Sequence, residues 1–186
     1  MNDRVLQVRT DALVAEYIYA RKLKHLGYMS MTITSLTILV PIIFSAAILI
    51  AKGTYYESAL NTASIVLSAV LLSLSVLSLI LKLDQNRESF LIARRSNIYV
   101  SSEALKLIDK ADAELSWFYN YLAEMDSRDQ ENIGEVSEKL KQEAYRHSLK
   151  KLMPGRPDTV CSVCHASPFK FVAGSCQVCG NTQKEI

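Results

Sequence analysis

LGYMSMTITSLTILVPIIFSAAILIA, residues 26–51, and SALNTASIVLSAVLLSLSVLSLIL, residues 58–81, carry no charged side chain, and only KGTYYE joins them. Each exceeds the roughly 20 residues needed to cross about 30 Å of hydrocarbon at 1.5 Å per residue. The pair predicts a transmembrane helical hairpin over 26–83, with spans at about 28–51 and 58–81. So short a connection makes the two helices antiparallel neighbours. Gly53 suits the end of the first helix, and Tyr55 and Tyr56 suit an interfacial anchor.

The flanks orient the hairpin. Arg21, Lys22 and Lys24 precede the first span, Lys82, Arg87, Arg94 and Arg95 follow the second, and the connection holds only Lys52. The excess of basic residues on the cytoplasmic side of spans places both termini in the cytoplasm. Neither span contains Asp, Glu, Lys, Arg or His. That disfavours a proton relay, a charge-coupled transporter or an intramembrane enzyme, which need ionisable groups there. The net charge of +2 over 186 residues is too small to argue for nucleic acid by itself. The first 25 residues mix acidic and basic side chains and lead into the apolar run too late for a secretory signal.

The faces of the spans differ. In the first, Thr34, Thr37, Pro41 and Ser45 share one side, and Pro41 removes a backbone hydrogen bond and predicts a kink. In the second, Asn61, Ser64, Ser68, Ser75 and Ser78 fall within about 100° of arc, interrupted at mid-membrane by Leu71. Such a stripe of small polar residues suits close helix–helix packing. It equally suits the lining of a pore in an oligomer, with Leu71 as a hydrophobic constriction.

The remaining chain predicts helices outside the membrane. Residues 1–25 form an amphipathic helix with Val5, Leu6, Leu13, Val14, Tyr17, Ile18 and Leu23 on its apolar side and Arg9, Glu16, Lys22 and Lys24 on its polar side. It packs on another helix or lies on the membrane surface. Residues 84–152 form a cytoplasmic helical region. Its first part, 84–125, has no Gly or Pro, and Ile98, Leu105, Ile108, Leu115, Tyr119 and Leu122 repeat close to a heptad seam that Asp112 interrupts. As one helix it would reach about 60 Å, a stalk. Packing back on the N-terminal helix or against other copies satisfies the pattern too. Trp117, Phe118, Tyr119 and Tyr121 are packing residues or a stacking surface for a base. Ser127 to Gly134 reads as a linker, and helical patterning returns over 135–152. That helix ends in Arg146, His147, Lys150 and Lys151, which suit its C-terminal dipole or a set of phosphate groups. Pro154, Gly155 and Pro157 make 153–157 a second linker.

All four cysteines lie in the last segment, 158–186, as Cys161-x-x-Cys164 and Cys176-x-x-Cys179 with eleven residues between the pairs. The pattern suggests a metal site in a reducing compartment rather than disulfides. Two C-x-x-C turns can close a tetrahedral zinc site, a zinc ribbon with no open coordination position. The metal is then structural, and so small a module depends on it to fold. Gly180 follows the last cysteine, where a tight turn suits it, and His165 occupies the matching place in the first pair as a bystander. Phe169, Phe171 and Val172 are expected to pack a short hairpin between the turns. No nucleophile–base constellation, phosphate-binding glycine loop or open metal site marks an enzyme.

The N-terminal amphipathic helix, two close spans and cytoplasmic helix over residues 1–125 resemble the SLATT family of bacterial two-transmembrane effectors. The tail CSVCHASPFKFVAGSCQVCG is similar to the short ribbon of mobilome-associated CxxC-x11-CxxC proteins, which share that layout. The resemblance implies an antiphage effector in the bacterial inner membrane, similar to that of the Hailong defence system. There a partner nucleotidyltransferase makes an oligonucleotide signal and a SLATT-type channel disrupts the membrane. The expected protein is an all-α membrane protein forming a homo-oligomeric channel, with four copies as the guess, and helical geometry sets Asn61, Ser64, Ser68, Leu71, Ser75 and Ser78 along the path. Arg146, His147, Lys150 and Lys151 are the candidate site for the nucleotide signal. A non-conducting membrane adaptor that presents the zinc ribbon is the alternative.

Overall fold

The chain is described by a computed structural model covering residues 2–111, 114–152, 156 and 158–182. Five helices follow one another: α1 (Asp3–Ala51), α2 (Glu57–Ile80), α3 (Leu83–Leu107), α4 (Ser116–Ile133) and α5 (Glu138–Leu152). Among the described residues there is no strand, and one isolated antiparallel bridge joins Ala173 to Asn181. The chain divides into two compact units. One combines Met1–Lys22 with Ser89–Ile186; the other is Leu23–Glu88.

The Leu23–Glu88 unit is a helical hairpin. The helices beginning at Asp3 and Glu57 each contain a stretch long and apolar enough to cross a membrane. The turn between α1 and α2 is closed locally: Gly53 adopts φ +78, its N–H donates to Glu57 Oε2 at 2.7 Å, and the Thr54 N–H donates to the Ala51 carbonyl at 2.9 Å. Glycine takes this left-handed backbone without the Cβ penalty other residues carry. Few side chains of the hairpin are covered. Ile50 is 84% and Leu79 77% exposed, and a soluble protein rarely leaves so continuous an apolar surface bare. Leu71 is the buried residue of α2, and α1 is the long element within this unit available to cover it.

In the other unit, α1 starts with a side-chain cap. Asn2 Oδ1 accepts from the N–H groups of Arg4 and Val5 at 3.1 and 3.3 Å, satisfying orphan donors of the first turn. The Asn2 N–H donates to the Ile108 carbonyl at 2.7 Å. Val5 and Ala12 of α1, Val100 and Ala104 of α3, and Leu115, Phe118 and Met125 around α4 share one core, with Ile108 in the turn. A second core joins Leu13 of α1, Leu149 and Leu152 of α5 and all four cysteines.

Several expectations change here. The N-terminal amphipathic helix and the first span are one continuous helix, and Pro41 lies inside it. The stalk does not form. The chain turns between α3 and α4, with the Lys110 N–H on the Leu107 carbonyl and the Glu114 N–H on the Ala111 carbonyl, each at 3.0 Å. Leu115 and Phe118 are fully buried as a result, so packing back on the N-terminal helix wins over an extended helix. The expected linker at 127–134 is largely helical, since α4 runs to Ile133. Asp112, the expected break in the seam, and most of the 153–157 linker lie outside the described residues.

Candidate metal centre

Each C-x-x-C pair folds into the same turn. The Cys161 N–H donates to the Ala166 carbonyl at 3.0 Å and the His165 N–H to the Cys161 carbonyl at 3.0 Å. Fifteen residues on, the Cys176 N–H donates to the Asn181 carbonyl at 3.2 Å and the Gly180 N–H to the Cys176 carbonyl at 2.7 Å. His165 (φ +54) and Gly180 (φ +68) take the left-handed conformation at matching positions. His165 therefore serves as a turn residue. Just before the second turn, Gly174 is required sterically: a Cβ there would stand 2.3 Å from the Thr182 Cα.

The two turns bring the four sulfurs within 4.8 Å of one another. All four thiols are free and buried, with Cys164 and Cys179 Sγ 3.4 Å apart. Four sulfurs around one ion with bonds of about 2.3 Å would lie about 3.8 Å apart, so the cluster has the size to hold a metal ion. Burial pushes the Cys176 thiol up, but the backbone amides of Cys179 and Val178, together with the Cys179 and Cys164 thiols, outweigh it and hold it at about 7. Burial pushes the Cys164 and Cys179 thiols up as well, and there it prevails. Fixed amides thus favour thiolate at one sulfur, the form that binds metals.

Asn181, which sequence reasoning passed over, pins the segment between the turns. Its side chain is buried. It donates to the Ser167 and Lys170 carbonyls at 3.3 and 3.2 Å and accepts from the Val172 N–H at 2.7 Å. This pin replaces the packed hairpin expected there. Phe169, Phe171 and Val172 are exposed rather than packed.

Helix α5 grips the cysteine turns by their backbone. Arg146 Nη1 donates to the Cys179 carbonyl while its guanidinium lies 4.0 Å from the centre of the Phe171 ring. Gln142 Nε2 donates to the Gln177 carbonyl at 3.2 Å. A Cβ at Gly180 would also meet Gln142 Oε1 at 2.5 Å, so that side chain would have to move aside.

The basic residues at the end of α5 are not gathered into one site. Arg146 faces the cysteine turns. His147 packs on Tyr17 with ring centroids 4.5 Å apart, and Lys151 Nζ pairs with Glu16 at 3.6 Å. Lys150 is exposed. Burial, reinforced by Lys151, lowers the His147 pKa. Three of the four side chains thus meet different neighbours: Arg146 the second cysteine turn, His147 and Lys151 helix α1.

The polar stripe of α2 divides as well. At 100° per residue its centre lies about 40° from Leu71. Ser64, Ser75 and Ser78 are half-buried beside Leu71, whereas Asn61 and Ser68 are exposed on the flank. Ser75 Oγ donates to the Leu71 carbonyl at 2.9 Å. Leu71, the expected constriction, is the buried residue of α2.

The family described as mobilome CxxCx(11)CxxC protein matches residues 2–182, and the chain belongs to it. No curated protein and no solved structure matches the chain.

Proposed function

We propose that the protein is an integral membrane protein whose α1–α2 hairpin assembles with further copies into an ion path, opened by a signal acting on the helical unit outside the membrane. The observation that carries this is the flank of α2. Asn61 and Ser68 stand exposed on a span whose other exposed residues are mostly apolar. Lipid gives no partner to an amide or hydroxyl, whereas a water-filled path between copies does. One hairpin encloses nothing, so the path requires several copies; four is our working number. The lining is then Asn61 and Ser68, with Ser64, Ser75 and Ser78 at its edge and Leu71 behind it.

The four sulfurs form a soft donor set that suits zinc, and a closed set of four makes the ion structural. The resemblance to SLATT effectors and the Hailong arrangement supports a role in antiphage defence at the bacterial inner membrane, with an oligonucleotide from a partner nucleotidyltransferase as the signal. No catalytic step is proposed.

The test is expression in bacteria at matched membrane levels, with a potential-sensitive dye as readout. Wild-type protein should depolarise the cell, and Asn61→Leu with Ser68→Leu should cut the response at least tenfold. An undiminished response in the double variant, or none from wild type, sinks the ion path. The exposed Phe169, Phe171 and Val172 favour a second reading, a membrane-anchored docking module. A protein with both spans exchanged for an unrelated hairpin keeps its biological effect as an adaptor and loses it as a channel.

A further inference from the structure

Between the cysteine pairs the chain runs Phe169, Lys170, Phe171, Val172, and all four residues are exposed, Phe169 at 52%, Phe171 at 54% and Val172 at 64%. That exposure is held in place. The Asn181 side chain bonds the carbonyls of Ser167 and Lys170 and the N–H of Val172, and the Thr182 N–H donates to the Val172 carbonyl at 2.8 Å. A backbone pinned on both sides of Phe171 does not fold its phenyl rings back onto a core, so the rings are presented outward. Arg146 backs the Phe171 ring, its guanidinium 4.0 Å from the ring centre. From Thr159 to Thr182 the chain has no Asp or Glu, and Lys170 is its one Lys or Arg.

We propose that this segment docks on an anionic lipid surface, with Phe169, Phe171 and Val172 entering the headgroup boundary and Lys170 meeting lipid phosphates. Apolar side chains set beside a cation, with no carboxylate to repel the surface, are what a negatively charged interface takes up. A nucleic acid fits less well, since its affinity rests on several phosphate contacts and the segment offers one lysine. The proposal rests on the reading of α1–α2 as a membrane hairpin, which keeps a bilayer within reach of the segment at high effective concentration. That tether favours lipid over a protein partner, which would have to be met by diffusion. The inference goes beyond the ion path, because it gives the segment between the cysteine pairs a lipid contact of its own.

The test is fluorescence quenching on the full chain reconstituted in vesicles that are half brominated phosphatidylcholine and half phosphatidylglycerol. Trp117 is the one tryptophan, so Trp117→Phe gives a silent background for a Phe169→Trp reporter. Phe169 and Lys170 are exposed, so substituting either asks nothing of the fold. The bromines should cut the reporter's emission at least twofold relative to vesicles without bromine. Replacing phosphatidylglycerol by plain phosphatidylcholine, or adding Lys170→Glu, should return at least half of the lost emission. In a parallel protein on the same background, Leu72→Trp in α2 should be quenched in every brominated vesicle. A Phe169→Trp reporter untouched by bromine while Leu72→Trp is quenched overturns the docking and leaves the membrane hairpin standing; a protein partner at the same residues would give this result. Quenching indifferent to both phosphatidylglycerol and Lys170→Glu overturns the anionic surface as the occupant. No quenching at Leu72→Trp overturns the membrane reading, and the docking falls with it.

Discussion

Arg9 shows how a single side chain can escape a reading by periodicity. Its place on the polar side of an amphipathic helix predicts solvent, yet it is only 6% exposed. Nη1 donates to the Ser101 carbonyl and Nη2 to the Lys151 carbonyl, each at 3.2 Å. One guanidinium thereby ties α1 to α3 and α5. Those acceptors lie 92 and 142 residues away in sequence, so no local pattern announces them. The planar fork of arginine suits two divergent acceptors, which a lysine ammonium cannot reach in the same geometry. Arg9→Leu should cost about 3 kcal/mol, the scale of two hydrogen bonds from a charged donor, and Arg9→Lys should recover part of it. Chemical denaturation of the full chain, followed by circular dichroism, measures both. The cysteines are the opposite case. The turns that gather them are set by a few adjacent residues, so spacing alone located all four and also matched His165 to Gly180.

Elements were legible where their signal was local and lost where burial decided. The two apolar runs announced α1 and α2 because length and absence of charge suffice. The turn between α3 and α4 has neither Gly nor Pro to mark it. It exists because Leu115 and Phe118 are buried in the core with Val5 and Val100, a gain that becomes visible only once α1 is in place. The cysteine segment depends similarly on its surroundings, since its four sulfurs share a core with Leu13 and Leu149. Among its described residues the regular structure is one bridge, Ala173 to Asn181, so on the proposed zinc site the metal is what holds it. Removing the ion with a strong chelator should therefore loosen more than the segment itself. Protease sites between 158 and 182 should become cleavable, and the melting temperature of the chain should fall as Leu13 and Leu149 lose their cover. Restoring zinc should reverse both changes. Asn181→Ala should weaken metal retention against a competing chelator by about tenfold or more, the scale seen when groups supporting metal ligands are removed. Unchanged cleavage after complete metal loss would show that the segment folds on its own contacts.

At the scale of the molecule, one unit is built from both ends of the chain, Met1–Lys22 and Ser89–Ile186, with Leu23–Glu88 inserted between them. Both parts contribute to each of its cores, Val5 beside Phe118 in one and Leu13 beside Leu149 in the other. A membrane cannot run through such a core, so on the proposal that the apolar hairpin spans a bilayer the two parts lie on one side of it and the inserted segment crosses an even number of times. Two spans meet that condition and one does not. The excess of basic residues beside the two apolar runs carries the expectation that this side is the cytoplasm. Neither spacing nor composition could show that the N-terminal helix belongs to the same core as the distant C-terminal segments. Thiol labelling tests the arrangement. With an impermeant maleimide applied to intact cells, Thr54→Cys in the connection should label at once, whereas Lys110→Cys should label only after the membrane is opened. The reverse pattern would mean the hairpin is inverted. Protection of both sites until lysis would mean that the connection never reaches the outer face, and the exposed apolar surface of the hairpin would then have to be covered by protein rather than lipid.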